Sequence, residues 1–205
     1  MLPRRVAMIV VEGPIGVGKT SLAKLLAERT GARLMLEVVE ENPFLAAFYR
    51  DPQRYAFQTE TFFLLSRFRQ HSELSQGGLF HKHAVADYIF DKTFLFASLN
   101  LSGDEFELYR TLFEQLRSRL PPPRLAIYLR AEPALLLERI ARRGRSFETE
   151  IDPAYLGRIS EKYDRFFERA DFPVHVVEAA AVDFVASEAD RATLLGQIVA
   201  LAGAA

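Results

Sequence analysis

The chain has 205 residues, 49% hydrophobic and 12% aromatic, enough apolar material to bury a full core and too much for global disorder. Lys and Arg total 26 against 27 Asp and Glu, and a net charge of -1 favours neither broad nucleic-acid binding nor attraction to anionic membranes. The sequence contains no cysteine, which excludes disulfides, cysteine-ligated zinc and iron–sulfur clusters. No apolar run reaches the ~18 residues that span a bilayer. The expectation is a soluble, cytoplasmic protein forming one domain over residues 1–205.

In chain order, short apolar runs alternate with helical patterns. Val6–Val11 is continuously apolar, as a strand buried on both faces should be. Leu22, Leu25 and Leu26 give helical spacing between Lys19 and Arg29, with Gly31 as C-cap. Leu34–Val39 reads as a second strand. Pro43 and Pro52 each suit a helix start, the second opening a long helix to about Gln76, stopped by Gly77 and Gly78. Ala84–Ala86 is a third, short strand ending at Asp87, followed by helices over Thr93–Leu101 and Asp104–Leu120. Pro121, Pro122 and Pro123 cannot continue a helix and lead into a fourth strand, Leu125–Leu129. Helices Pro133–Arg142 and Pro153–Arg169 flank a basic loop; a fifth strand, Val174–Val177, and a helix, Glu188–Leu201, close the chain. Five buried strands separated by helices predict an α/β fold with a parallel sheet, in which ligands bind beyond the carboxyl ends of the strands.

Directly after the first strand, Gly13, Pro14, Ile15, Gly16, Val17, Gly18, Lys19 and Thr20 fit G-x-x-x-x-G-K-[ST] without a mismatch. The glycines let successive backbone N–H groups turn toward phosphate oxygens, Lys19 can reach the β and γ phosphates, and the Thr20 hydroxyl can ligate Mg²⁺. The following helix, whose first turn carries Lys19, Thr20 and Ser21, aims its positive end at the anion. A chance match in such a chain occurs about once in a hundred or less. The sequence therefore binds a nucleoside triphosphate, with ATP and Mg²⁺ as the expected ligands.

Other features narrow the class. The guanine-reading Asn-Lys-x-Asp element of GTPases is missing, and the third strand ends Ala86-Asp87-Tyr88 rather than Asp-Glu. Arg139 and Arg143 are four apart, hence on one helix face, with Arg145 on the loop beyond. Guanidiniums converging there would neutralise charge in a phosphoryl-transfer transition state, as an arginine-rich lid over about 142–152. Beside a phosphate loop that reading is stronger than a solvated helix end.

The ordered segments EGPIGVGKTSLA, LEVVEENPFL, FQTETFFLLSRFRQ, VADYIFDKTFLFA and ERIARRGRSFE resemble the deoxynucleoside kinases, most nearly the bacterial deoxyadenosine/deoxyguanosine kinases, over about Val6 to Phe167. The resemblance implies a P-loop kinase fold, a homodimer and transfer of the γ-phosphoryl of ATP to the 5′-hydroxyl of a deoxynucleoside in nucleotide salvage. The family's catalytic base falls on Glu37, where a carboxylate could accept the hydroxyl proton; Glu40 and Glu41 are lower-ranked competitors. Lys19, Arg139, Arg143 and Arg145 would stabilise phosphoryl charge.

Glu60 and Arg67, seven apart, share a face of the long helix. The family reads the base with a glutamine at the Glu60 position. A carboxylate there can accept from the adjacent N–H donors of guanine or from the adenine amino group, which leans toward a purine. Phe96 matches the position that stacks on the base, with Phe44 as a second candidate; both could equally be core. Tyr49 and Glu148 match the pair that holds the sugar 3′-hydroxyl. Asp87 departs from the Glu-Arg-Ser of many relatives and could hold magnesium or bind substrate, and Lys92 stands where those relatives carry an acid. His81 and His83 lack further clustered ligands and carry no metal reading. Two alternatives remain open: a thymidylate-type nucleotide kinase, and a nucleotide-binding partner subunit without activity of its own.

Overall fold

The computed structural model describes residues 7–76, 83–144 and 151–204. Five parallel strands form one sheet in the order β2-β3-β1-β4-β5, with β1 at Ala7–Glu12, β2 at Arg33–Met35, β3 at His83–Ala86, β4 at Leu125–Arg130 and β5 at Val174–Glu178. The helices are α1 (Lys19–Thr30), α2 (Leu45–Arg50), α3 (Pro52–Gln76), α4 (Lys92–Asn100), α5 (Gly103–Arg117), α6 (Pro133–Arg143), α7 (Pro153–Glu168) and α8 (Glu188–Ala204). Among the described residues no helix is long and apolar enough to cross a membrane.

The two-residue period of a strand divides the core between the two faces of the sheet. On one side Ile9, Val11, Val85, Leu125, Ile127 and Leu129 pack with Leu22 and Leu26 of α1, Leu136 of α6 and Leu194 and Ile198 of α8. On the other, Met8, Val10, Ala84 and Ala86 pack with Tyr88 and with Leu74 of α3. Ala126 and Tyr128 meet Leu95 of α4 and Ile159, Tyr163 and Phe167 of α7. A separate cluster joins α2, α3, α4 and α5 through Phe48, Leu64, Ala97 and Tyr109, beyond the sheet. The central strands β1, β3 and β4 are covered on both faces, which accounts for their unbroken apolar runs.

The structure corrects four expectations. The second strand does not run to Val39: it ends at Met35, opposite Ala86, the last residue of β3, and no partner strand continues beside Leu36. The chain then turns, making a 3-10 turn at Val39–Glu41. The helix expected at Pro43 starts at Leu45, because the Phe44 N–H donates to the Asn42 side chain and the chain is still turning there. The fifth strand is an edge strand, with Val176 44% exposed, and the first residue of β2 is exposed at the opposite edge, so only the three inner strands are buried along all but an end residue. The helix expected to Leu120 ends at Arg117, whose guanidinium donates to the Leu120 carbonyl. The remaining boundaries agree to within a few residues.

The loop after β1 is built into the core. Gly13 has φ 151, and a Cβ there would lie 2.3 Å from the Leu129 carbonyl oxygen; a Cβ on Gly16, at φ 86, would meet Ile140 Cγ1 at 2.8 Å. Gly13→Ala therefore forces both a disfavoured backbone conformation and a clash with backbone. It should destabilise the fold by about 1–3 kcal/mol, read as a lowered midpoint in chemical denaturation, while Ala at Gly31, where a Cβ meets nothing within 4 Å, should show only the conformational part.

Candidate active site

A cavity of about 740 Å³ opens over the carboxyl ends of the strands, running from the glycine loop to α2, α3, α4 and α7. Its position follows from the topology: β1 and β3 both end here, and β1 is where the strand order reverses between β3 and β4. Of the residues singled out from sequence, Ile15, Gly16, Val17, Gly18, Lys19, Thr20 and Ser21 line it on the loop side. Glu37, Tyr49, Glu60, Arg67, Asp87, Phe96, Arg139 and Arg143 line the rest. Gly13 and Pro14 lie beneath it, and their carbonyls hold the Lys19 ammonium at 2.8 and 2.9 Å. Phe44 is not brought into the lining: it caps α2, half-buried, while Leu45 and Phe48 face the cavity. Arg145, Glu148 and the middle of the expected lid lie outside the described residues.

Burial, with Lys92 nearby, lowers the Lys19 ammonium to about 8, opposed by Glu12, Glu37 and Asp87. Asp87 links two elements. Its Oδ2 accepts the Thr20 hydroxyl at 2.6 Å and its Oδ1 accepts the Glu37 backbone N–H at 2.7 Å. These bonds tie the start of α1 to the segment after β2 across the end of β3, and they explain why β2 stops where it does.

Glu37 is the most strongly gripped carboxylate. Arg67 Nε donates to its Oε1 at 2.9 Å, a second Arg67 nitrogen reaches the same oxygen, and Lys92 Nζ donates to its Oε2 at 2.6 Å. Burial pushes this carboxyl up, but Lys92 and Arg67 together outweigh burial and hold it well below the ordinary carboxylate range. The Arg67 guanidinium also stacks over the Phe63 ring at 4.7 Å, and Lys92 Nζ lies 5.6 Å from the centre of the Phe96 ring. Glu60 contrasts with Glu37. Its Oε1 accepts from Asn100 Nδ2 at 2.6 Å, while Oε2 is buried and has no hydrogen-bond partner among the described residues. Burial raises this carboxyl to about 7, against the pull of Asn100, Arg67 and Lys92.

The arginines of α6 divide their work. Arg139 donates to the Val17 carbonyl at 2.9 Å and to the Ala179 carbonyl at 3.0 Å, fastening α6 to the phosphate loop and to the end of β5. Arg142 and Arg143 also line the cavity, as do Val182, Asp183, Phe184 and Val185 on the connection after β5.

Sequence reasoning missed two residues at the site. Glu12, the last residue of β1, is fully buried; its carboxylate accepts from Gly13 N–H at 3.0 Å, Ile89 N–H at 2.7 Å and the Tyr163 hydroxyl at 3.0 Å. It thereby joins the glycine loop, the segment after β3 and α7. Burial pushes its carboxyl up, against Lys92 and Lys19. An acid closing a run of six apolar residues was the available signal. Asn100 gave none, because its partner Glu60 is forty residues away on another helix.

A parallel sheet of this order with a glycine loop feeding α1, and with cations and carboxylates converging above it, defines a nucleotide-binding P-loop kinase. A family model for deoxynucleoside kinase matches residues 9–202. The chain is 37% identical over 188 residues to a deoxyguanosine kinase of Bacillus subtilis, covering 89% of this chain and 91% of that one. It is 32% identical over 208 residues to a deoxyadenosine kinase of Lactobacillus acidophilus, covering 94% and 95%. In fold it is similar to a deoxyadenosine kinase from M. mycoides with bound dCTP, at a TM-score of 0.80 and 23% identity over 94% of this chain and 99% of that one. The chain belongs to the deoxynucleoside kinase family and is an enzyme that phosphorylates a deoxynucleoside.

Two stability effects follow. Glu12→Gln leaves one acceptor oxygen and turns an amide NH₂ against groups that donate, so it should lower folding stability by about 1–3 kcal/mol in denaturant titrations. For Glu60, the folded carboxyl holds its proton more tightly than the unfolded one. The stability that proton contributes is complete below the ordinary value of 4.5 and is lost as pH rises toward about 7. Glu60→Gln should therefore gain melting temperature relative to the parent at alkaline pH and lose that advantage in acid, which thermal scans across pH would read.

Proposed function

We propose that the chain transfers the γ-phosphoryl group of Mg–ATP to the 5′-hydroxyl of a purine deoxynucleoside, deoxyguanosine or deoxyadenosine. The observation that carries this reading is Glu37: an ionised carboxylate in the cavity wall, joined through its own N–H to Asp87 and through Asp87 to Thr20 of the phosphate loop. A carboxylate so placed can orient an acceptor hydroxyl toward a phosphoryl group on the loop. The deoxyguanosine and deoxyadenosine kinases among the relatives support the purine.

In the reaction, the 5′-oxygen forms a bond to the γ-phosphorus as the bond from that phosphorus to the β,γ-bridging oxygen breaks, and ADP leaves. The hydroxyl proton passes to Glu37. Because Lys92 and Arg67 hold Glu37 ionised, it is a weak base that accepts late. This suffices for a loose, metaphosphate-like transition state, in which little charge develops on the attacking oxygen. Orientation of the hydroxyl and neutralisation of phosphoryl charge then carry the rate. Lys19, Arg139, Arg143 and Arg145 supply positive charge, with the backbone N–H groups of the loop from Gly13 to Thr20. The Thr20 hydroxyl and Asp87 carboxylate, 2.6 Å apart, are hard oxygen donors of the kind magnesium takes, and would hold it either directly or through water. When bound, magnesium neutralises charge on the β and γ phosphates.

On the acceptor side, Glu60 and Arg67 face the base, Phe96 stacks on it, and Tyr49 with Glu148 holds the 3′-hydroxyl. The chain acts in cytoplasmic nucleotide salvage as a homodimer, a reading that Leu65 of α3 and Leu108 and Leu112 of α5, all exposed, support.

Glu37→Ala should abolish phosphorylation, with at least about a hundredfold loss in kcat, and leave ATP binding largely intact. A coupled assay with deoxyadenosine, deoxyguanosine, deoxycytidine, thymidine and thymidine monophosphate checks substrate and variant together. Turnover of only the monophosphate would overturn the proposed acceptor, and near-normal turnover by the variant would remove Glu37 from the role of base.

A further inference from the structure

The two oxygens of the Glu60 carboxyl, in the cavity lining, have different surroundings. Asn100, the last residue of α4, fixes Oε1 through an amide hydrogen at 2.6 Å, and the Asn100 carbonyl in turn accepts the Tyr155 hydroxyl of α7 at 3.2 Å. That chain sets the Asn100 amide with its NH₂ toward Glu60 and prevents the reverse orientation, in which two oxygens would face each other. Oε2 is left buried and, among the described residues, without a hydrogen-bond partner, on a residue that lines the cavity. Leaving such an atom unpaired is costly, so the site is incomplete until a proton or a ligand donor reaches it.

The two purines answer that atom differently. Guanine presents a ring N–H and an exocyclic amino group side by side, two donors that fit the two oxygens of an ionised carboxylate. Adenine presents an amino donor beside a ring nitrogen that only accepts, which fits a carboxylic acid: Oε2–H donates to the ring nitrogen and Oε1 accepts from the amino group. Oε1 has a second lone pair for this while Asn100 occupies the first. We propose that Glu60 and Asn100 form a proton-switched base reader, taking adenine when Glu60 is protonated and guanine when it is ionised. The proposal rests on the purine reading above and goes beyond the position's part in base recognition, since it assigns the choice between the bases to one proton and the orientation of the carboxyl to Asn100.

The surroundings place the switch within reach of neutral pH. Burial raises the Glu60 carboxyl to about 7. The cations that face it are Arg67 of its own helix and Lys92 of α4, both favouring ionisation; Glu37, on the segment after β2, opposes it. Arg67 and Lys92 are committed to Glu37, which blunts their pull on Glu60. Among the described residues the further titratable neighbours are the phenols Tyr109 of α5 and Tyr155 of α7, with Tyr49 of α2 facing Tyr155; burial raises Tyr109 and Tyr155 out of the neutral range, so they stay uncharged there. An arrangement with only a solvated surface glutamate would show none of these features.

The test is kcat/KM for deoxyadenosine and deoxyguanosine at several pH values from ~6 to ~8, in the parent enzyme, Glu60→Gln and Asn100→Leu. The ratio of deoxyadenosine to deoxyguanosine should fall with rising pH by up to about tenfold per unit, because one substrate needs the acid and the other the carboxylate. Glu60→Gln should flatten the ratio, and Asn100→Leu should shift the pH at which the preference crosses. Calorimetry of the parent enzyme in two buffers of different ionisation enthalpy supplies a readout independent of any variant: near neutral pH, deoxyadenosine should bind with proton uptake and deoxyguanosine with proton release. A ratio that is flat with pH, a slope that persists in Glu60→Gln, or equal proton exchange for the two nucleosides would overturn the switch while leaving the purine reading intact. Failure of the parent enzyme to phosphorylate either purine would overturn both.

Discussion

Charge that leaves water must find charge, and above this sheet it does so in one compact set. Glu37 accepts from Arg67 of α3 and Lys92 of α4, and its backbone N–H reaches Asp87, which also takes the Thr20 hydroxyl of α1. Breaking one partner out of a buried pair typically costs about 3–5 kcal/mol, because the other charge is left uncompensated. The relative positions of α1, α3, α4 and the segment after β2 are therefore coupled through this group. The same coupling shapes the cavity, which lies among the elements that Glu37 draws together, with the glycine loop at the far end of the Asp87 bond.

The electrostatics suit phosphoryl transfer better than proton abstraction by a strong base. Lys92 and Arg67 both balance Glu37, one at each of its oxygens. Two cations on one carboxylate leave that carboxylate ionised and well oriented, and they lower the repulsion a phosphoryl group would meet on approaching it. A few residues away Glu60 has an opposite environment, with burial dominating and only an amide donor in contact. Carboxyls on the same cavity wall are thus driven apart in acidity by what each touches, which is the usual way a site separates the tasks of its acids.

Much of the fold was legible before any coordinates. Unbroken apolar runs marked β1, β3 and β4 because those strands are covered on both faces, and the glycine loop matched at every position because each glycine has a distinct geometric duty. The errors have physical causes. Leu34–Val39 is apolar enough for a longer strand, but a strand needs a neighbour, and β3 has ended by Ala86. Phe44, whose N–H the Asn42 side chain holds, is not in the cavity lining, while Leu45 and Phe48 are. Glu12 was hidden by its position at the end of an apolar strand, where a charge is tolerated only because three donors from three separate segments converge on it.

What the sequence determined by itself is whatever depends on neighbours along the chain: the alternation of strands and helices, the phosphate loop, the caps, and the face that Glu60 and Arg67 share on α3. What only the tertiary structure decided is whatever depends on distance across the fold. The grip of Lys92 and Arg67 on Glu37, the joining of Thr20 to Glu37 through Asp87, and the pairing of Glu60 with Asn100 span between 30 and 67 residues of sequence. Each is a short-range contact between groups whose sequence separation carries no record of it, and burial then sets the charge state that local pattern leaves open.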